Sequence, residues 1–197
     1  MAAFERGFKA WADRTSVSLR TELGLAPHSP LPPRRLAEHL EIPVIGPAEI
    51  KGLSRESLQQ LLQRDSDGWS AVTCRAGNRL IIIFNSAHAP TRQSTDIMHE
   101  LSHVLLEHSS GSLVLSQNGQ TIMRTYNEQE EAEADWLASA LLLPREALLR
   151  MVNDGITPEE ICSEFVVSQQ LLRWRLNATG VLIQAARMRH RVPTRKR

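Results

Sequence analysis

Residues 91–108 carry an apolar stripe at helical spacing, and this stripe limits the possible folds more than any other stretch. At about 100° per residue, Ile97, Leu101, Val104 and Leu105 fall on one side of a helix. A helix of that kind must bury its apolar side against a second layer. The other side carries His99 and His103, four residues and so one turn apart on a single face. The stripe is complete without the histidines, so core packing does not account for them.

The remaining periodicities predict a mostly helical α+β chain. Phe4, Phe8, Trp11, Val17, Leu19 and Leu23 suit an N-terminal helix stopped at Gly24. PHSPLPP at 27–33, with four prolines in seven residues, excludes regular structure. RRLAEHLEIPVI reads as a short helix entering a strand, and Ser54 to Arg64 as a helix broken by Asp67-Gly68. WSAVTC at 69–74 and RLIIIF at 79–84, separated by turn residues, predict a hairpin. Beyond Pro90 the pattern is helical, near 91–108, 127–142, 144–153, 158–165 and 168–178. The expected organisation is an N-terminal helix over 1–25, a core over 26–145 with a small sheet on the histidine helix, a helix-turn-helix-like lobe over 146–186, and a frayed basic tail over 187–197.

The chemistry lies in His99-Glu100-Leu101-Ser102-His103. Two neutral imidazoles one turn apart can bind one zinc ion. Glu100, beside the first of them, can reach a water at that ion without being a ligand itself. A catalytic zinc site usually takes a third protein ligand and leaves one position open. A third histidine six residues beyond His103, with a glycine at the third, would supply it, but those positions hold Ser109 and Leu106.

The other source is a carboxylate on the following helix, YNEQEEAEADWLASALLLP. There Glu131, Ala134, Asp135, Ala138 and Leu142 share a face, and the alanines allow close approach to the histidine helix. Glu133 points the other way and Glu130 lies to the side; Glu128 and Glu130 suit a solvated acidic helix start. We therefore assign His99, His103 and Glu131 to the metal and Glu100 to general-base duty. Asp135 is assigned to the free ring N–H of a ligand histidine. One zinc per chain is expected, although these donors do not separate zinc from manganese or iron.

HELSHVLLEH at 99–108 and EAEADWLASALLLP at 131–144 resemble the ImmA/IrrE family of metallo-endopeptidases. The family pattern is His-Glu-Leu-x-His, then Glu-x-Glu-Ala-Asn-x-Phe-Ala-x-x-Leu-Leu-Met-Pro. Here Asp135 replaces the Asn, Trp136 brings the aromatic one place early, and Leu143 replaces the Met. The similarity spans most of residues 10–180. It implies a zincin-like core, Glu131 as third ligand, and a protein substrate that in this family is often a helix-turn-helix repressor.

Other residues carry secondary expectations. Tyr126, the single tyrosine, is a candidate to stabilise an oxyanion, though a structural role is favoured. His108 falls across the helix from His103 and is expected at the surface or in packing, while Glu107 is the weaker rival ligand. An extended substrate would add to the edge of the LIIIF strand at 80–84.

Composition narrows the alternatives. With 23 basic and 22 acidic residues, the molecule is no general polyanion binder. Cys74 and Cys162 form no paired motif, so neither a disulfide scaffold nor a cysteine-based zinc knuckle is expected. Glu5, Arg6 and Lys9 interrupt any apolar signal core, and no apolar run nears the roughly 20 residues a membrane span needs. A cytoplasmic protein with no membrane partner is the expectation. The competing reading is a DNA-binding regulator, or a toxin-antitoxin component that binds a repressor without cutting it. It rests on residues 157–180, with Arg173, Arg175 and the basic tail as phosphate contacts.

Overall fold

The computed structural model describes residues 4–76, 79–108, 112–115, 122–123 and 127–191. The chain begins with α1 (Phe8–Glu22), α2 (Pro33–His39), the short strand β1 (Val44–Ile45) and α3 (Arg55–Gln59), which runs on as a π turn over Gln60–Arg64. Then come β2 (Ala71–Ala76), β3 (Arg79–Phe84), α4 (Pro90–Leu105), β4 (Ser112–Leu115) and β5 (Ile122–Met123). The remainder is helical: α5 (Glu128–Leu142), α6 (Arg145–Asp154), α7 (Pro158–Phe165), α8 (Gln169–Thr179) and α9 (Val181–Arg191). This is the mostly helical α+β architecture that the periodicities predict. Among the described residues, no helix is long and apolar enough to cross a membrane.

The sheet order is β1-β3-β2-β4-β5. β2 and β3 pair antiparallel, from Ala71 opposite Phe84 to Ala76 opposite Arg79. β1 joins β3 in parallel at Ile82 and Ile83, so β3 is an interior strand. This corrects the expectation that a substrate adds to the LIIIF edge, because both sides of β3 are occupied there. β4 pairs in parallel with Thr73 and Cys74. The two strands after Pro90 were not expected from the sequence.

Opposed residues of an antiparallel pair share a face. Thr73 therefore lies beside Ile82 on the side that turns inward, and both are buried. α4 packs on this sheet and on α5, burying Ile97, Met98 and Leu101 beside Leu137 and Leu141. Each such side chain contributes roughly 1.5–3 kcal/mol through burial.

α4 starts with Pro90 in its first turn, where a missing N–H is harmless. It stops at Leu105, short of the predicted 108, because Glu107 adopts the left-handed conformation at φ 54°. The His108 N–H then returns to the His103 carbonyl at 3.0 Å. α5 starts at Asn127, whose side chain accepts the Gln129 and Glu130 N–H groups.

The far end of α5 leaves carbonyls that its own helix cannot satisfy, and two buried arginines reach them. Ser16 Oγ donates to the Ala140 carbonyl at 2.6 Å. Arg20 Nη2 donates to Leu141 at 2.6 Å and Arg175 Nε to Leu143 at 3.2 Å. Arg175, fully buried, also pairs with Asp13 at 2.6 Å. It is thus not available as the phosphate contact expected from the sequence. Trp136 sits nearby, with the Lys9 ammonium 4.1 Å from its ring centre.

Gly180 ends α8 at φ 66°, yet Val181 and Ala185 are buried and the chain stays helical through Arg191. Of the stretch 187–197 expected to fray, residues 187–191 therefore belong to the end of α9. Residues 192–197 lie outside the described part.

Candidate metal centre and its cleft

Helix periodicity carries His99 and His103 on α4, and Glu131 enters from the first turn of α5. The positive end of the α5 dipole favours an ionised carboxylate there. Ala134 and Ala138, on the same face as Glu131, are buried and small enough to let the two helices approach.

His99 Nε2 lies 3.0 Å from His103 Nε2 and 3.2 Å from Glu131 Oε2, and His103 Nε2 lies 3.6 Å from that same oxygen. Among the described residues, these three form the group able to share one metal ion. Donors at about 2.0–2.1 Å from a tetrahedral zinc stand roughly 3.3 Å from one another. The three separations bracket that value, and two imidazoles with a carboxylate are donors zinc accepts. The residues fit the ion.

Asp135 Oδ1 lies 2.8 Å from His99 Nδ1, where it accepts the ring proton and turns Nε2 toward the centre. Burial lowers the affinity of His99 for a second proton. The bonds to Asp135 and Glu131 and the charges of Asp135 and Glu100 outweigh it, and its pKa is pushed up to about 9. A metal must displace that proton.

Glu100 is buried on the sheet side of α4. Thr73 on β2 donates its hydroxyl proton to Glu100 Oε2 at 2.6 Å. A cleft of about 320 Å³, lined by Ser70, Ala71, Thr95, Asp96, His99, Glu100 and Asp135, gives access to this carboxylate. Burial pushes the Asp96 carboxyl up, against the opposing pull of His88 and Arg92. The His88 ring bonds Asp96 at 3.3 Å and the Ser66 carbonyl at 3.0 Å, tying α4 to the loop before β2.

Two expectations are corrected on the other flank. His108 lies against His103, with their Nδ1 atoms 3.0 Å apart, rather than across the helix. Glu133, expected to point away, reaches His108 Nε2 at 3.4 Å. The turn at Glu107 accounts for both, since α4 has ended before His108. Glu107 itself is exposed. Tyr126 lies outside the described residues.

Thr73, His108 and Glu133 were missed from the sequence. Thr73 left a faint signal, a polar residue in register with the inward face of a strand. His108 and Glu133 left none, since nothing in Leu-Glu-His marks a left-handed turn.

A model of peptidase family M78, described as the IrrE N-terminal-like domain, matches residues 55–177. No curated protein matches the chain at a significant level. Among solved structures, a Mycobacterium tuberculosis transcriptional regulator is similar, at 14% identity and a TM-score of 0.53. The match covers 85% of this chain and 46% of that one, so the chain spans less than half its length. At this identity the likeness concerns the fold alone.

Proposed function

The chain belongs to the IrrE N-terminal-like domain family of peptidases, and on that premise we propose that it is a zinc-dependent endopeptidase with a zincin-like core. The observation that carries the reading is the convergence of His99, His103 and Glu131 beside the buried carboxylate of Glu100.

Zinc in this centre would supply a water acidic enough to ionise near neutral pH and a Lewis acid for a peptide carbonyl. The residues of the chain do the rest. Glu100 takes the proton of the attacking water and passes it to the leaving amine. The Thr73 hydroxyl fixes that carboxylate, so little reorganisation is needed as the proton moves. Asp135 holds the tautomer of His99. Ser70 and Ala71 border the cleft at the start of β2, and an extended peptide would run past them.

The substrate we propose is a protein, with a helix-turn-helix repressor as the class implied by the resemblance. The competing reading is a regulator that binds DNA or a repressor without cutting. A Mycobacterium tuberculosis protein of similar fold is named a transcriptional regulator, while in this chain the buried Arg175 removes one of the phosphate contacts that reading needs.

One experiment separates them. The full chain is incubated with helix-turn-helix regulators from the same genome, with zinc and with chelator. Chelator-sensitive cleavage supports the peptidase. A salt-sensitive DNA shift or stable complex with the regulator left intact would favour the other reading.

A further inference from the structure

His103 and His108 approach through the same ring atom, Nδ1 to Nδ1 at 3.0 Å, with their rings inclined at 68°. Such a contact is a hydrogen bond only if one nitrogen carries a proton and the other a lone pair. The proposed centre, on which this inference rests, decides which is which. His103 needs its Nε2 lone pair for the metal, so its ring proton sits on Nδ1 and is donated to His108. His108 Nδ1 is then the acceptor, and its own proton sits on Nε2. That N–H faces Glu133 Oε2 at 3.4 Å. Gln129 Nε2 donates to the other oxygen of Glu133 at 2.5 Å.

We propose that His108 is the positioning residue for His103, anchored in turn by Glu133. The chain of bonds fixes the tautomer and the angle of the ligand ring. Asp135 does the same for His99 directly, from a side chain that is 72% exposed. On the His103 flank the partners are shielded, with His108 7% and Glu133 17% exposed. The backbone serves the same arrangement. Glu107 is held at φ 54°, in a left-handed conformation that is unfavourable for a non-glycine residue. Strain of this kind persists where the surroundings hold it. Here it folds His108 back onto His103.

The test is zinc affinity, measured on the full chain by competition with a chromogenic chelator. Substitutions of the outer partners of a ligand histidine typically weaken metal binding about 10–100-fold. His108→Ala should fall in that range and Glu133→Gln should fall less. His108→Asn, whose amide oxygen can stand where Nδ1 stands, should bind close to wild type. Circular dichroism of the metal-free variants checks their folding. A second measurement needs no variant: ¹⁵N NMR of the zinc-loaded protein should show His108 protonated on Nε2 and a coupling across the Nδ1–H···Nδ1 bond. Equal zinc affinity in wild type and His108→Ala, or a His108 ring protonated on Nδ1, would overturn the inference alone. A wild-type chain that takes up no zinc would overturn the centre beneath it as well.

Discussion

The Thr73 hydroxyl and Glu100 Oε2, 2.6 Å apart and both buried, join the sheet to the histidine helix at a carboxylate that stands beside the proposed ligands without being one of them. A strand residue thereby sets the position of a helix residue from 27 positions away in sequence. If Glu100 moves the proton, the bond should matter to turnover more than to substrate binding.

Glu100→Gln should keep its zinc and lose roughly 10²–10⁴-fold in kcat, the usual worth of a positioned general base. Thr73→Val keeps the shape and removes one bond to a charged group, about 1.5–3 kcal/mol. It should lower kcat about tenfold or more with KM little changed. Steady-state kinetics on a cleaved substrate, with zinc content measured alongside, checks both. Full activity in Glu100→Gln would remove that residue from the reaction.

His103→Ala and Glu131→Gln should each reduce bound zinc to well below one ion per chain after dialysis. Loss of one of three protein donors leaves too few to hold the ion against water. Metal analysis by atomic emission reads the result directly, and unchanged stoichiometry in both variants would refute the ligand set.

Without metal, the fold should lose stability as the solution becomes more alkaline. The pKa of His99 is about 9 in the folded chain against the ordinary 6.5. The imidazolium therefore stabilises the fold fully below about 6.5, and that contribution fades as pH rises through about 9. Thermal melts in chelator should show this decline in wild type, and a flatter profile in Asp135→Asn, which lacks one of the charges that raise His99. Parallel profiles for the two proteins would contradict the assignment.

Arg20→Met should destabilise the protein far from the centre. Arg20 is buried with no carboxylate partner among the described residues, and burial lowers its pKa to about 10, so it stays charged at neutral pH. Its bonds to Leu141, Ser29 and Ser16 would be lost, leaving the Leu141 carbonyl at the end of α5 and the Ser16 and Ser29 carbonyls without this donor. A loss of roughly 2–3 kcal/mol is expected, with Tm lower by about 5–10 °C for a chain of this size. A melt within a degree or two of wild type would show that water replaces the guanidinium.

Much of the centre was legible because helices report themselves locally. The spacing of His99 and His103 places them on one face whatever surrounds them, and the 131, 134, 135, 138 face of α5 follows from the same 3.6-residue repeat. The hairpin of β2 and β3 was equally plain, since turn residues separate two apolar runs. The interior place of β3 was not, because β1 joins it from nearly 40 positions away and strand order has no local signature. The reversal at Glu107 was hidden for another reason: left-handed turns are usually marked by glycine or asparagine, and neither is present.

Sequence alone therefore determined what each helix carries and which way it faces, because covalent geometry repeats every turn. The tertiary structure alone decided which faces meet. It brought Glu131 to the two histidines, Thr73 to Glu100, and His108 with Glu133 to the far side of His103. Those contacts depend on how much apolar surface each layer can hide from water, a property of the whole packed chain and of no segment within it.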